Sequence, residues 1–467
     1  MKMNKIVLFT GLSVTVAACR VTHSYQSPFA PVTENYRGSD STDTTSIADI
    51  PWKQMFADTI LQRLIQQALY NNLDVKVAVA RIKYAEANVR QSKAAFLPDV
   101  SADADYTLSK SSIAQLKAYN QDVSATPLVR QYALTASVSW EADVWGKLKS
   151  TKKAYIAALL SSDAYKRAVQ TEIVASVASN YYALMAYDKQ LSIAKQTIEI
   201  RKSDTATVKQ LKEYAVLNGA DVVQSEANMY AAQIEATTVE KSIRETENAI
   251  SVLLGRMPGS IPRSTLDEQV TNNDLHTGVP LQLLRNRPDV QEAEYNFRNA
   301  FELTNVARTY FYPSLTITGS GGWATANTLK GFFDGTFYGS LIGGLTQPIF
   351  NQGLNKQRLK QAEATQEEYL YTFQQTMLTA SQEVADALYS YQNAAALNES
   401  RVKQIASLNK AVDYTKELLR YTSTVNYTDV LTAETSLLSA QLSNISDKLQ
   451  QLQATVELYR ALGGGWK

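Results

Sequence analysis

Few residues of this chain could carry covalent or metal chemistry. Cys19 is its sole cysteine, and His23 and His276, far apart in sequence, are its only histidines. One thiol forms no intrachain disulfide, and this set makes neither a Cys-rich metal site, a His-based zinc site nor a Ser-His-Asp triad. No Gly-x-Ser-x-Gly turn and no Walker-type phosphate loop occurs. Arg287-Pro288-Asp289 resembles a charged site, but Pro suits the first position of a helix and Asp its first turn, so these residues read as a helix start. What remains is a matched pair of carboxylates, Asp221 in Asn218-Gly219-Ala220-Asp221 and Asp429 in Asn426-Tyr427-Thr428-Asp429. An Asn with Asp three residues later is an N-cap arrangement that satisfies the first helical amides. The same carboxylates sit where long helical runs break, a place from which side chains can line an aperture, and one residue can serve both roles. No enzyme activity, cofactor or metal is expected.

The elements that must position this pair come in two copies. Phe96-Leu97-Pro98 and Phe311-Tyr312-Pro313 each open a run of alternating residues. Each run leads to a glycine, Gly146 (after Trp145) or Gly353, that marks the junction of strand and helix. A very long stretch without Gly or Pro follows, 147–218 in the first copy, and 354–462 in the second is likewise free of both. The copies end in Leu254-Gly255 and Leu462-Gly463, a unit of roughly 200 residues and far longer than a solenoid repeat.

In 132–144, Tyr132, Leu134, Ala136, Val138, Trp140, Ala142 and Val144 share one face, and the other is mostly small or polar. This is strand periodicity. A dozen such residues reach roughly 40 Å at about 3.3 Å each, enough to cross, tilted, an apolar band of roughly 25 Å. The helical runs are long enough for rods of roughly 100 Å. Leu438, Leu442, Ile445, Leu449, Leu452, Val456 and Tyr459, alternately four and three apart, make a coiled-coil seam.

The division that follows is 1–18 signal peptide, 19–59 extended arm, 60–255 first repeat, 256–284 equatorial linker and 285–467 second repeat. The strands are placed at 99–110, 130–144, 314–325 and 336–348, with loops at 113–129 and 327–334. The signal peptide rests on Lys2 and Lys5 beside the apolar run Ile6 to Ala18, too short to span a bilayer. Val16-Ala17-Ala18-Cys19 is similar to a bacterial lipobox, which makes Cys19 the acylated first residue of the mature protein, and Arg20 after it favours sorting to the outer membrane. With 45% hydrophobic and 19% charged residues the chain folds, and a net charge of +1 gives no field for nucleic acid.

Four strands per chain cannot close a barrel with a channel, and open strand edges in lipid leave backbone groups unpaired at several kcal/mol each. Three copies give twelve strands, within the range of such barrels, whereas eight strands from two copies fill with side chains.

Taken together, Pro51-Trp52-Lys53-Gln54-Met55-Phe56-Ala57-Asp58, Asn286-Arg287-Pro288-Asp289-Val290, Phe311-Tyr312-Pro313-Ser314 and Leu458-Tyr459-Arg460-Ala461-Leu462-Gly463-Gly464-Gly465-Trp466 resemble, in order and spacing, the TolC-type outer-membrane efflux channel family, in its OprM-like lipoprotein branch. The resemblance covers essentially the whole mature chain. It implies a mostly α fold with a membrane β-barrel: a homotrimeric 12-stranded barrel in the outer membrane of a Gram-negative bacterium, lipid-anchored and continued into the periplasm by an α-helical barrel. It implies a passive exit duct in a tripartite efflux system, with a periplasmic adaptor and a proton-driven inner-membrane transporter as partners. Within the fold, the exit duct of a type I protein-secretion system is the alternative; outside that role, a free-standing porin. In relatives the second helical turn carries an Arg-Tyr pair and two rings, one hydrophobic and one acidic. Arg420 and Tyr421 match the pair, while Thr428 and Thr432 stand where the ring residues would be, with one residue fewer near Thr424. With Asp221 and Asp429 these are the candidate gate residues. The transported substrate, and the identity of the adaptor and transporter, are not written in the chain.

If the lipobox is read correctly, mass spectrometry of the mature protein finds an N-terminal, acylated Cys19. An unmodified Cys19, or a different N-terminus, contradicts it.

Overall fold

The structure is a computed structural model that describes residues 21–28, 46–110, 112–114, 128–269, 286–421 and 425–467. Cys19, most of loop 113–129 and residues 270–284 of the equatorial linker lie outside the described residues. The main elements are α1 (Thr59–Asn71), α2 (Leu73–Ala94), β1 (Asp99–Lys110), β2 (Leu128–Ala142), α3 (Lys147–Glu213), α4 (Gly219–Leu253), α5 (Pro288–Thr309), β3 (Ser314–Ala326), β4 (Phe337–Thr346), α6 (Leu354–Tyr421) and α7 (Tyr427–Ala461). Among the described residues no helix is long and apolar enough to cross a membrane. The chain packs into two compact units, and neither is one of the sequence repeats: each unit takes segments from both.

The first unit comprises Met1–Pro28, Ile82–Ser161 and Glu294–Thr372 and contains all four strands. They form one antiparallel sheet in the order β1-β2-β3-β4. The register brings like faces together. Val100, Ala104 and Tyr106 of β1 stand opposite Val138, Leu134 and Tyr132 of β2. Leu134 and Trp140 face Trp323 and Ile317 of β3, and Trp323 and Leu315 face Phe337 and Leu345 of β4. The opposite face carries Ser101, Asp103, Asp105, Thr135, Ser137, Thr316, Thr318, Ser320 and Ser340. Cross-strand hydrogen bonds tie this polar face together, Ser320 Oγ to Ser340 Oγ at 2.8 Å and Thr135 Oγ1 to the Tyr338 hydroxyl at 2.5 Å. Both edge strands are exposed along almost their whole length.

β2 starts at Leu128 and ends at Ala142, two residues earlier at each end than the periodicity suggests. Asp143 serves the following helix instead, where its carboxylate accepts from the amides of Leu148 and Lys149 at the start of α3. β4 ends at Thr346, where Pro348 has no amide to continue the ladder. Gly146 and Gly353, directly before α3 and α6, have φ of 78° and 77°, the left-handed region that lets strand turn into helix without a Cβ clash.

The arm at 21–28 is docked on α5. The Asn305 side chain accepts from the His23 amide and donates to its carbonyl. Tyr25 packs on Phe297 and Phe301, and Ser27 donates to Glu294 at 2.6 Å.

The second unit comprises Phe29–Arg81, Ser162–Ala293 and Phe373–Lys467 and holds the main hydrophobic core, including Phe56, Leu61, Ile65, Tyr181, Leu184, Met185, Ile250, Phe373, Met377, Leu452 and Tyr459. The seam residues Ile445, Leu452, Val456 and Tyr459 are buried in it. Asp58 caps α1 through the amides of Ile60 and Leu61, and its carboxylate also accepts from Tyr181, Ser264 and Gln269. Burial alone would raise this carboxyl, but the hydrogen bonds from Ser264, Tyr181 and the amides outweigh it and hold Asp58 below the usual range. The cluster fastens the start of the equatorial linker to α1 and α3.

Arg287, at the entry to α5, is buried and makes four hydrogen bonds to three groups. Nε and Nη2 donate to the two Asp289 oxygens at 3.0 and 2.6 Å, and Nη1 donates to Glu383 at 2.8 Å and to the Ala461 carbonyl at 2.9 Å. Distant segments meet α7 and the residues after it in this unit: the Tyr459 hydroxyl donates to the Ile50 carbonyl at 2.7 Å, and Trp466 Nε1 donates to the Asn286 carbonyl at 3.2 Å. Replacing Arg287 by Ala strands Asp289 and the Ala461 carbonyl and leaves Glu383 only the longer contact to Arg460 at 3.6 Å. Since Asp289 and Glu383 retain some solvent, the expected cost is about 2–3 kcal/mol, below the full penalty of a broken buried pair. Thermal denaturation followed by circular dichroism should show the lowered midpoint, with Arg287→Lys in between.

Candidate functional site

The candidate aperture residues lie at the turns that join α3 to α4 and α6 to α7. Each turn ends in the same device. Asn218 Oδ1 accepts from the amides of Ala220 and Asp221 at 2.7 and 3.2 Å, and Asp221 Oδ2 accepts from the Asn218 amide at 3.0 Å. Asn426 Oδ1 accepts from the Asp429 amide at 3.0 Å, and Asp429 Oδ2 accepts from the Asn426 amide at 2.9 Å. Both are complete capping boxes. Asp221 and Asp429 therefore each spend one oxygen on the helix start.

The other candidates are placed differently. Arg420 and Tyr421, in the last turn of α6, are exposed, Tyr421 at 78%. Thr428 gives its carbonyl to the Thr432 hydroxyl at 2.8 Å, a bond within α7 that leaves both side chains on an exposed stretch. Among the described residues no hydrogen bond or ion pair joins Arg420 or Tyr421 to Thr428 or Thr432. At the other end of the helices, Trp145 Nε1 donates to the Pro313 carbonyl at 2.8 Å, which ties the junction before Gly146 to the start of β3.

A charged network near the same turns was not visible in the pattern of the turns themselves. Arg201 of α3, only 5% exposed, donates through Nη1 to Glu434 of α7 at 2.5 Å and to Asp204 at 3.3 Å. Lys416 of α6 reaches the other Glu434 oxygen at 2.7 Å. Two cations and two anions thus join three helices with balanced charge. Burial, then the like charge of Glu434, raises the Asp204 carboxyl, against the pull of Arg201. Beside the network the Tyr427 hydroxyl is buried and without a hydrogen-bond partner among the described residues; burial, then the Asp204 charge, pushes its phenol up to about 12. The signal that locates Arg201 is its phase: Ala194, Thr205 and Val208, which lie seven, four and seven residues from it, are buried on the same helix. A charge in a buried seam must have a partner.

Nothing in this arrangement activates a nucleophile. Its acids are paired with cations or helix amides, and among the described residues no group of Cys, His, Asp and Glu could hold a metal ion.

Comparison with known proteins gives a consistent result. Residues 64–256 and 279–464 match the family model described as outer membrane efflux protein. The outer membrane protein OprJ of Pseudomonas aeruginosa is 30% identical over 461 residues, spanning 97% of this chain and 95% of OprJ. The probable outer membrane lipoprotein SilC of Salmonella typhimurium is 27% identical over 475 residues, spanning 99% of both. Among solved structures, the open state of the MtrE outer membrane channel of Neisseria gonorrhoeae superposes with a TM-score of 0.84 at 26% identity, covering 96% of this chain and 99% of MtrE.

Replacing Arg201 by Ala leaves Glu434 and Asp204 close together with Lys416 alone to offset them. A loss of about 2 kcal/mol is expected, read as roughly thirtyfold faster amide hydrogen exchange around 201–208 and 427–437. The pH dependence has a definite sign. Folded Asp204 holds its proton more tightly than the unfolded carboxyl at 3.8, so its contribution is fully present below that pH and is lost as pH rises through the folded value. Asp204→Asn should abolish that part of the pH dependence.

Proposed function

As a member of the outer membrane efflux protein family this chain is an outer-membrane efflux channel protein, and we propose that it works as one of three identical subunits of a passive exit duct. The observation that carries the reading is the four-stranded sheet. One face is apolar across all four strands, the other is lined by hydroxyls and carboxylates, and both edges are open. Such a sheet suits a membrane barrel in which the apolar face meets lipid and the polar face a water-filled lumen. Its open edges ask for identical neighbours, β4 of one copy beside β1 of the next, and three copies supply twelve strands.

The duct does no chemical work. Substrate arrives from an inner-membrane transporter, proton-driven in this reading, through a periplasmic adaptor, and the energy is spent there. Cys19 carries the lipid anchor. At rest the duct is constricted at the helical turns. The two capping Asp residues stiffen the turns, the Arg201–Glu434–Lys416 network holds the helix pairs together within a subunit, and exposed Arg420 and Tyr421, with Thr428 and Thr432 on the next turn, are free to reach across the aperture. Adaptor docking opens the ring by biasing a closed–open equilibrium.

Native mass spectrometry of the extracted protein should read three copies. In planar bilayers the wild type should conduct weakly, and Arg420→Ala with Tyr421→Ala should raise single-channel conductance several-fold without dissociating the trimer. In cells lacking their own efflux channels, drug efflux should return only when a matching adaptor and transporter are present. Efflux without those partners, or a stable monomeric pore, overturns the reading in favour of a free-standing porin.

A further inference from the structure

Helix N-termini favour acidic residues because the dipole is positive there. α4 and α7 obey, with Asp221 and Asp429 in their first turns. The two helices that leave the sheet do the reverse. α3 opens with Lys147, Lys149, Lys152 and Lys153 and has no acid before Asp163; α6 opens with Lys356, Arg358 and Lys360 and has none before Glu363. Neither has an acidic residue in its first turn. The inversion occurs in both repeats and only where helix follows strand.

At α3 protein groups offset part of the charge. Lys147 is held by Glu141 at 2.8 Å, Lys153 lies 3.4 Å from the buried Glu302, and Asp143 takes the first amides. At α6 no such offset exists: among the described residues none of Lys356, Arg358 and Lys360 has a carboxylate partner, and all three are exposed. The Arg358 guanidinium lies 4.9 Å from the centre of the Tyr310 ring, and the Lys147 ammonium lies 5.8 Å from the same ring. Trp145 and Tyr312 pair beside it, their rings 5.0 Å apart. Together with Glu141 and Asp143, whose carboxylates are taken up by Lys147 and by the first amides of α3, these residues line a cavity of about 370 Å³ at the strand–helix junction. Just before α6, Ile349 and Phe350 are 99% and 86% exposed. Thr22 of the arm stands against Gly146.

We propose that this junction binds the headgroup of an anionic phospholipid from the leaflet facing the long helices. Arg358 contacts the phosphate from the cavity, and Lys356 and Lys360, one turn apart on α6, supply the attracting field. Tyr310, Tyr312 and Trp145 sit at the headgroup level as interfacial aromatics do, and the acyl chains lie against Ile349, Phe350 and the apolar face of β3 and β4. Charge complementarity selects an anionic lipid over a zwitterionic one, and continuity with the lipid-facing sheet selects a membrane lipid over a soluble partner. The assignment rests on the outer-membrane placement of the sheet.

The test uses the full-length acylated protein in detergent, titrated with phosphatidylglycerol or phosphatidylcholine of the same chain length and read by native mass spectrometry. The wild type should retain phosphatidylglycerol in preference. Arg358→Ala combined with Lys356→Gln and Lys360→Gln should lower that retention at least about tenfold, given roughly fivefold per interfacial cation, and abolish the preference. Lys403→Gln with Lys410→Gln, far along the same helix, should leave it unchanged. Equal retention of the two lipids by the wild type, or unaltered preference in the triple variant, overturns the proposal. So does a triple variant that falls apart while its intact fraction keeps the preference, since the cations would then serve a neighbouring subunit. Wild-type protein that neither inserts nor conducts in bilayers would count against the channel reading instead.

Discussion

Hydrocarbon offers backbone amides and carbonyls no partners, and most of this architecture answers to that fact. β2 and β3 satisfy each other and their neighbours, but β1 and β4 each expose one row of groups. In water such edges invite aggregation. In a membrane they are tolerable only when another copy closes the ladder. The requirement reaches back into the sequence: alternation must hold on all four strands at once, and the pairing must keep apolar opposite apolar. A slip of one residue between β2 and β3 would turn Leu134, Val138 and Trp140 to the side of Thr135, Ser137 and Glu141.

The helical part solves a different problem. Long helices with weak intrinsic segregation of faces need specific contacts to hold their register. The structure provides them at two levels. Around the core of the second unit Arg287 and Asp58 each satisfy several groups at once, so that a buried charge becomes a connector between segments distant in sequence. Near the hairpin turns the Arg201–Glu434–Lys416 set does the same for three helices. In both places each ion is matched, which is the condition under which burying it is tolerable.

Much of this was legible in the residues. The duplication, the strict alternation of 132–144 and the glycines at 146 and 353 are local signals with a single physical meaning each. Asn218 and Asn426 announced capping boxes because an N-cap needs only its own next three residues. What stayed hidden depends on partners far away in the chain. Nothing near Arg201 names Glu434, 233 residues on. The early end of β2 follows from Asp143 preferring the α3 amides to the ladder, a competition that strand periodicity does not register. The compact units also escaped the sequence, because repeats describe how the chain is written and packing describes how distant segments share a core.

The contact of Asp49 and Ile50 with α7 and the residues after it has a consequence for folding. Tyr459 completes the core and bonds to Ile50, Trp466 reaches Asn286, and Lys467 pairs with Asp49. Leu458, Tyr459, Ala461 and Leu462 thus share one core with Ile47, Phe56 and Leu61, from the opposite end of the described sequence. Contacts between segments so far apart must close a large loop before they are rewarded, so this unit is expected to fold more slowly than its helical content alone suggests.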